Sequence, residues 1–199
     1  YHSDMELKFK EVILLENKRV RLEPLSKTHL AGLLPISLAH PQLLQYSPSL
    51  FGDETKLNQY IQIALEARLT NSRYAFAIFD REHQRYVGST SFGAVSNYDK
   101  RLEIGWTWLD PVVQGTGLNQ ECKYLLLHYA FEELKFDRVE FKTDSRNLQS
   151  RRAIEKIGGT YEGELRSHTL LADGFRRNTV YYSILAAEWM EFKKSIFGH

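Results

Sequence analysis

The sequence predicts a mixed α/β (α+β) fold, a twisted central sheet flanked by helices, and three observations carry that reading. Strand-like alternation and helical three-four spacing follow one another along the 199 residues. One helical run, Leu118 to Phe136, is apolar along one face for roughly five turns. A two-glycine loop joins that run directly to an apolar, aromatic strand, Leu102 to Leu109. No composition shift, repeat or low-complexity tract divides the chain, so residues 1–199 read as one domain. Tyr1 to Asp4 precede the first methionine, Met5, and read as a remnant outside the fold.

The elements follow in order. Arg19 to Leu25 alternates polar and apolar residues as a strand, and Ser26 or Lys27 opens a helix toward His40. Pro41 to Asp53 reads as a loop carrying Tyr46, Pro48 and Phe51. Leu57, Tyr60, Ile61, Ala64 and Leu65 recur at helical spacing and predict a second helix ending near Leu69. Strands are expected at Tyr74 to Phe79, Tyr86 to Phe92 and Leu102 to Leu109, with the long helix after the last of these. In that helix Leu118, Cys122, Leu125, Leu126, Tyr129, Ala130 and Leu134 share a face, which holds its N-terminus rigidly against the sheet. A strand at Val139 to Thr143 and a short helix from Leu148 to Ile157 come next. Strands near Thr160 to Leu171 and Phe175 to Leu185 close the pattern, joined by the hairpin turn Ala172-Asp173-Gly174.

Composition narrows the function classes. Lys and Arg number 26 against 25 Asp and Glu, so the balance points to neither a nucleic-acid nor a membrane partner. No apolar run reaches a membrane span and the polar start lacks a signal-peptide core, which predicts a cytoplasmic protein. The single Cys122 excludes an internal disulfide and a multi-cysteine zinc site, and no metal is expected. Its place on an apolar stripe marks it as core, not nucleophile.

Gln114-Gly115-Thr116-Gly117-Leu118-Asn119 is the most informative stretch. Glycines let the backbone approach an anion, and the free amides of a first helical turn then point at it along the positive end of the helix dipole. A tight strand-to-helix connection is the plainer reading. A Walker A loop is excluded because Leu118-Asn119 follow the last glycine, and a dinucleotide fingerprint because position 120 is Gln. What remains resembles the Gln/Arg-x-x-Gly-x-Gly/Ala signature of the GNAT superfamily of acyl-CoA-dependent N-acyltransferases, with Asn119 in place of the final small residue. Further on, Asn147-Leu148-Gln149-Ser150 and Glu155-Lys156-Ile157-Gly158 resemble the second cofactor segment of that family. Glu103-Ile104-Gly105-Trp106 leading to Leu109-Asp110-Pro111 resembles its RimJ/RimL-like branch, and the similarity runs from about Arg19 to Trp189.

That resemblance implies a bulge near Gly105 that parts two parallel strands, although an isolated strand glycine also fits ordinary curvature. It implies acetyl-CoA as co-substrate, its pyrophosphate on Gln114, Gly115, Thr116, Gly117, Leu118 and Asn119. Backbone near Trp108 and Leu109 would pair with the pantetheine arm, and Asn147 and Ser150 would contact the coenzyme. Glu103 falls where related enzymes place a general-base glutamate, and burial beside Trp106 and Trp108 would raise its pKa. A solvated glutamate, or one paired with Arg101, fits the sequence equally. Ser150 matches a serine directed at the coenzyme sulfur, where its hydroxyl would stabilise developing negative charge. Ser150 and Asn147 also fit as ordinary first-turn and N-cap residues.

For the acceptor, the resemblance points to Tyr46 and Phe51 in the covering loop, to Trp106, and to His168 with Arg166 on the hairpin strand. Asn178 stands where the branch often has Asp, which removes a carboxylate from that region. The expected activity is acetyl transfer to a primary amine, a protein N-terminus or a small molecule, by direct attack without a covalent enzyme intermediate. A non-catalytic CoA-binding or interaction module on the same scaffold stays open, Asn119 narrowing the room beside the phosphates. A homodimer is an arrangement the resemblance admits.

Overall fold

The computed structural model describes residues 5–199; the remnant reading of Tyr1 to Asp4 lies outside the described residues. Among the described residues eight strands form one sheet: β1 (Leu15–Glu16), β2 (Val20–Pro24), β3 (Arg73–Asp80), β4 (Arg85–Ser96), β5 (Arg101–Leu109), β6 (Arg138–Asp144), β7 (Thr160–Leu170) and β8 (Arg176–Leu185). They lie in the order β1-β2-β3-β4-β5-β6-β8-β7. Every neighbouring pair is antiparallel except β5 with β6. That one parallel junction needs a crossover, and the helix α3 (Leu118–His128) supplies it.

Two cores cover the two faces of the sheet. On one, α3 and the C-terminal helix α5 (Ala186–Ser195) press Leu118, Cys122, Leu126 and Trp189 onto Tyr74, Phe92, Ile104, Phe141 and Tyr182. On the other, α1 (Leu30–Ala39) and α2 (Glu54–Leu69) pack Leu33, Leu57, Tyr60 and Ile61 against Ala75, Ala77 and Trp108. The caps follow the sequence. Asp53 accepts from the Lys56 amide at 2.7 Å to start α2, and Asn147 accepts from the Ser150 amide at 3.2 Å to start α4 (Leu148–Lys156).

Some expectations are corrected. The first helix opens with a 3₁₀ turn at Lys27–His29 before α1 begins. The run expected as one helix to Phe136 leaves α geometry after His128 and closes as a π turn, Tyr129–Glu133, with the Leu134 amide donating to Tyr129 O at 2.9 Å. The short strand β1 and the helix α5 were not anticipated, because two residues carry no period and α5 follows β8 without a break.

Candidate active site

The parallel junction opens where the chemistry was expected. Pairing of β5 with β6 runs through Arg101↔Arg138, Leu102↔Val139 and Glu103↔Glu140 and stops, although β5 continues to Leu109 and β6 to Asp144. On its other edge β5 stays paired with β4, but the step from Ser89 to Ser91 faces the longer step from Gly105 to Trp108, so an extra residue is accommodated there. The expected bulge is present, and Trp106, not Gly105, takes its left-handed conformation at φ 51°. A bulky residue there is strained, and its ring is held by what surrounds it. The indole lies over Gly93, where a Cβ would meet its Cζ3 at 2.3 Å, and it sits 4.9 Å from the Arg73 guanidinium and 5.8 Å from Lys142 Nζ. Gly105 serves space: a Cβ there would stand 2.9 Å from Glu103 Oε1.

Glu103 is buried at 3% exposure and pairs with Lys142 Nζ at 3.3 Å. Arg101 turns instead to Asp99 at 3.3 Å, so the expected alternative partner is not the one used. Burial pushes the Glu103 carboxyl above its ordinary range, with Lys142 and Arg177 pulling it back. On the same face Arg177 donates to Tyr46 O at 2.8 Å and to Thr179 Oγ1 at 3.2 Å, tying the Tyr46 loop to β8. The Tyr46 ring lies 5.2 Å from the Arg146 guanidinium, which is itself paired with Asp144 at 2.7 Å. His168 stands edge-on to Tyr181 at 6.1 Å and shares a hydrogen bond with Thr179 Oγ1 at 2.9 Å. Burial, then the charges of Lys142 and Arg177, lower its pKa. The structure thus gathers Glu103, Trp106, Tyr46 and His168 around one polar face. Arg166 is exposed on β7. Phe51 departs from expectation: it is 6% exposed and packs edge-on against Trp108 at 4.9 Å, a core residue beneath the loop and not an open contact.

At the other end of the gap, Gly115 and Gly117 adopt left-handed φ of 76° and 87°, and a Cβ on either would meet nothing within 4 Å. Gly117 is the N-cap of α3, with no side chain to satisfy the first-turn amides. Thr116 is exposed, and its amide and hydroxyl both donate to Val113 O, so it shapes the loop. The Asn119 Oδ1 is shielded from solvent without a partner, and no Asn119 atom comes within 4 Å of where a Cβ on Gly115 or Gly117 would stand. Gln149 Nε2 donates to Gln114 Oε1 at 3.1 Å, joining the start of α4 to the glycine loop. The Ser150 hydroxyl has no protein partner among the described residues, while Trp108, Leu109 and Leu118 bury their side chains and offer only backbone.

A family profile described as acetyltransferase (GNAT) domain matches residues 19–160. The chain belongs to the GNAT acetyltransferase family. It is 34% identical over 102 residues to YdaF of Bacillus subtilis (strain 168), provisionally named a ribosomal N-acetyltransferase. That match covers 51% of this chain and 55% of YdaF, so the chain spans little more than half of that relative's length. It is 23% identical over 175 residues to the ribosomal-protein-serine acetyltransferase of Escherichia coli (strain K12), covering 86% of this chain and 96% of that one. A solved acetyltransferase structure from T. thermophilus, provisionally named, superposes with a TM-score of 0.83 at 34% identity over 92% of this chain and 95% of the other. The RimJ/RimL-like resemblance is borne out by these relatives.

GNAT acetyltransferases take the acetyl group from acetyl-CoA. The uncapped amides and the free space over both glycines fit its pyrophosphate. Sequence reasoning missed Lys142, Arg73 and Lys123. Lys142 was findable, since β6 runs parallel to β5 and alternation puts it on the side of Glu140 and Glu103. Lys123 lay hidden beside the apolar stripe of α3. It is 8% exposed, donates to Thr107 Oγ1 at 2.9 Å, and burial lowers its pKa to about 8.

Proposed function

We propose that the chain is a single-domain cytoplasmic N-acetyltransferase that moves the acetyl group of acetyl-CoA directly to a primary amine. The observation that carries the reading is the parted β5–β6 junction, which runs out at Glu103↔Glu140 beside the uncapped glycine loop before α3. Acetyl-CoA supplies an activated thioester carbonyl. The amides of Gly115, Gly117, Leu118 and Asn119 hold its pyrophosphate without reorganising, because the apolar face of α3 is fixed in the core. The edge of β5 that β6 leaves without a partner at Trp108 and Leu109 holds the pantetheine arm, and Asn147 caps α4 while steadying Ser150.

Glu103 takes the proton of the incoming ammonium, directly or through water, and its raised pKa suits that task. Trp106, Tyr46 and His168 border the acceptor amine, with Phe51 supporting them from the core. The Ser150 hydroxyl is free to hydrogen-bond the departing sulfur. Cys122 is fully buried and its thiol is pushed up to about 12 by burial, which fits attack without a cysteine-bound intermediate. The names of the relatives, a ribosomal N-acetyltransferase and a ribosomal-protein-serine acetyltransferase, support a protein amine as acceptor, with a small-molecule amine the other candidate. A homodimer is compatible with this reading.

Initial-rate kinetics with acetyl-CoA and a panel of amines and short peptides test it, following release of the CoA thiol. Intersecting lines in double-reciprocal plots are expected. Parallel lines would show an acylated enzyme and overturn direct transfer, and absence of turnover with every acceptor would overturn the activity.

A further inference from the structure

Two guanidiniums on the acceptor face are buried without a carboxylate in ion-pair contact among the described residues, Arg177 feeling Asp144 and Glu103 only at longer range. Arg73 is 6% exposed and Arg177 7%. Their hydrogen bonds go to neutral oxygens: Arg73 Nε to Ser91 Oγ and Nη2 to Tyr60 OH, both at 2.9 Å, and Arg177 Nε to Thr179 Oγ1 and Nη1 to Tyr46 O. Among the described residues each keeps one terminal nitrogen, Arg73 Nη1 and Arg177 Nη2, without a protein partner, and neither nitrogen is sealed from solvent. A buried cation without an anion is costly, and a guanidinium edge is the geometry that receives a carboxylate or phosphate.

The surroundings do not neutralise it. Arg73, Lys142, Arg146 and Arg177 make four cations, linked through Trp106 and Tyr46, against the carboxylates of Glu103 and Asp144 and, near Arg146, Asp173. Glu140, the next carboxylate along β6, is taken by Arg138 at 3.0 Å. Asn178, next to Arg177, supplies no charge and uses its Oδ1 to accept from the Ser167 amide at 2.9 Å. A field of this sign disfavours a protonated amine near Glu103 and favours the neutral nucleophile, but it leaves a bound acceptor without attraction unless the acceptor brings negative charge.

We propose that the acceptor is an amine carrying an anionic group, a carboxylate or a phosphate, a short chain away from the nitrogen. The free Nη2 of Arg177 receives that group, and Arg73 and Lys142 supply the rest of the field. This rests on the acetyltransferase reading of the same face. It makes the enzyme selective for the charge beside the amine as well as for the amine.

Matched acceptors test it, with acetyl-CoA as donor and CoA release as readout: glycine against glycinamide, the peptide amide Ser-Asp-Ala against Ser-Asn-Ala, and phosphoethanolamine against ethanolamine. The three arms separate a main-chain carboxylate, a side-chain carboxylate and a phosphate. At least one anionic member is expected to exceed its neutral partner about tenfold or more in kcat/KM, mainly through KM. Arg177→Gln should bring that ratio toward one, and Arg177→Lys should keep part of it. Equal values in all three pairs, or a preference that survives Arg177→Gln, would overturn the inference while leaving the activity standing. If Arg177→Gln does not fold, the wild-type ratios decide alone. No transfer to any acceptor would remove the acetyltransferase reading and this inference with it.

Discussion

Glu103 and Gly105 share one small space on β5: a Cβ at Gly105 would stand 2.9 Å from Glu103 Oε1. The glycine is there for room, since the left-handed backbone of the bulge falls on Trp106. Gly105→Ala should therefore push the carboxylate away from Lys142 without destroying the bulge. We expect kcat/KM to fall roughly 10- to 100-fold, the scale on which small misplacements of a reacting group act. The melting temperature should move by only a few degrees. Steady-state kinetics beside a thermal melt check this, and full activity in the alanine variant would show that the position of Glu103 is immaterial.

The titration of Glu103 gives a signed pH dependence. Burial raises its pKa, so the carboxylate that accepts the proton forms only above the ordinary glutamate range, and kcat/KM should climb with pH through that raised value. Glu103→Gln should remove this acidic limb and lower the plateau about 10²-fold or more. A variant profile that keeps the limb would assign it to another group.

Lys123 carries a charge into the wall beneath the bulge, with Thr107 Oγ1 as its hydrogen-bond partner. Its pKa drops from 10.5 to about 8, so between those values the unfolded chain binds more protons than the folded one and stability rises with pH. Lys123→Met should be the more stable protein at pH 7, by on the order of 2 kcal/mol, with the gap closing toward pH 10. Denaturant melts of both proteins across that range measure it. A gap that widens with pH would contradict the buried-charge account.

Asn147 and Ser150 separate binding from chemistry. Asn147 accepts the Ser150 amide, so Asn147→Ala should cost about 1 kcal/mol of stability and weaken acetyl-CoA binding through a loosened first turn of α4. Ser150→Ala leaves that cap in place. It should lower kcat between about 10- and 100-fold with little change in KM for acetyl-CoA. Equal losses in KM for both variants would make Ser150 a structural residue only.

Most of the sheet and the glycine loop were legible because periodicity and turn chemistry are local. The stripe Leu118, Cys122, Leu125 and Leu126 announced α3, and Gln114 to Gly117 announced its approach. What escaped was set by tertiary contacts. Gly105 looked like a backbone requirement and proved to be a spatial one. Phe51 sat in a loop by sequence but packs on Trp108, which is adjacent only through the fold. The pairing of Glu103 with Lys142 depends on β5 and β6 lying side by side, and the neighbouring Arg101 offered a nearer partner along the chain. Burial of Arg73 and Arg177 likewise follows from α2 and the Tyr46 loop closing over the sheet.

The central claim is that the uncapped glycine loop before α3 binds acetyl-CoA, and titration calorimetry of the wild type beside Gly117→Trp tests it most directly. A Cβ at Gly117 meets no neighbouring atom, so the indole should occupy the cradle, at the cost of backbone strain at φ 87° that lowers stability while the fold, checked by circular dichroism, persists. Micromolar binding by the wild type, lost in the variant, is the predicted result. Equal affinity in the two proteins, or no binding by the wild type, would contradict it.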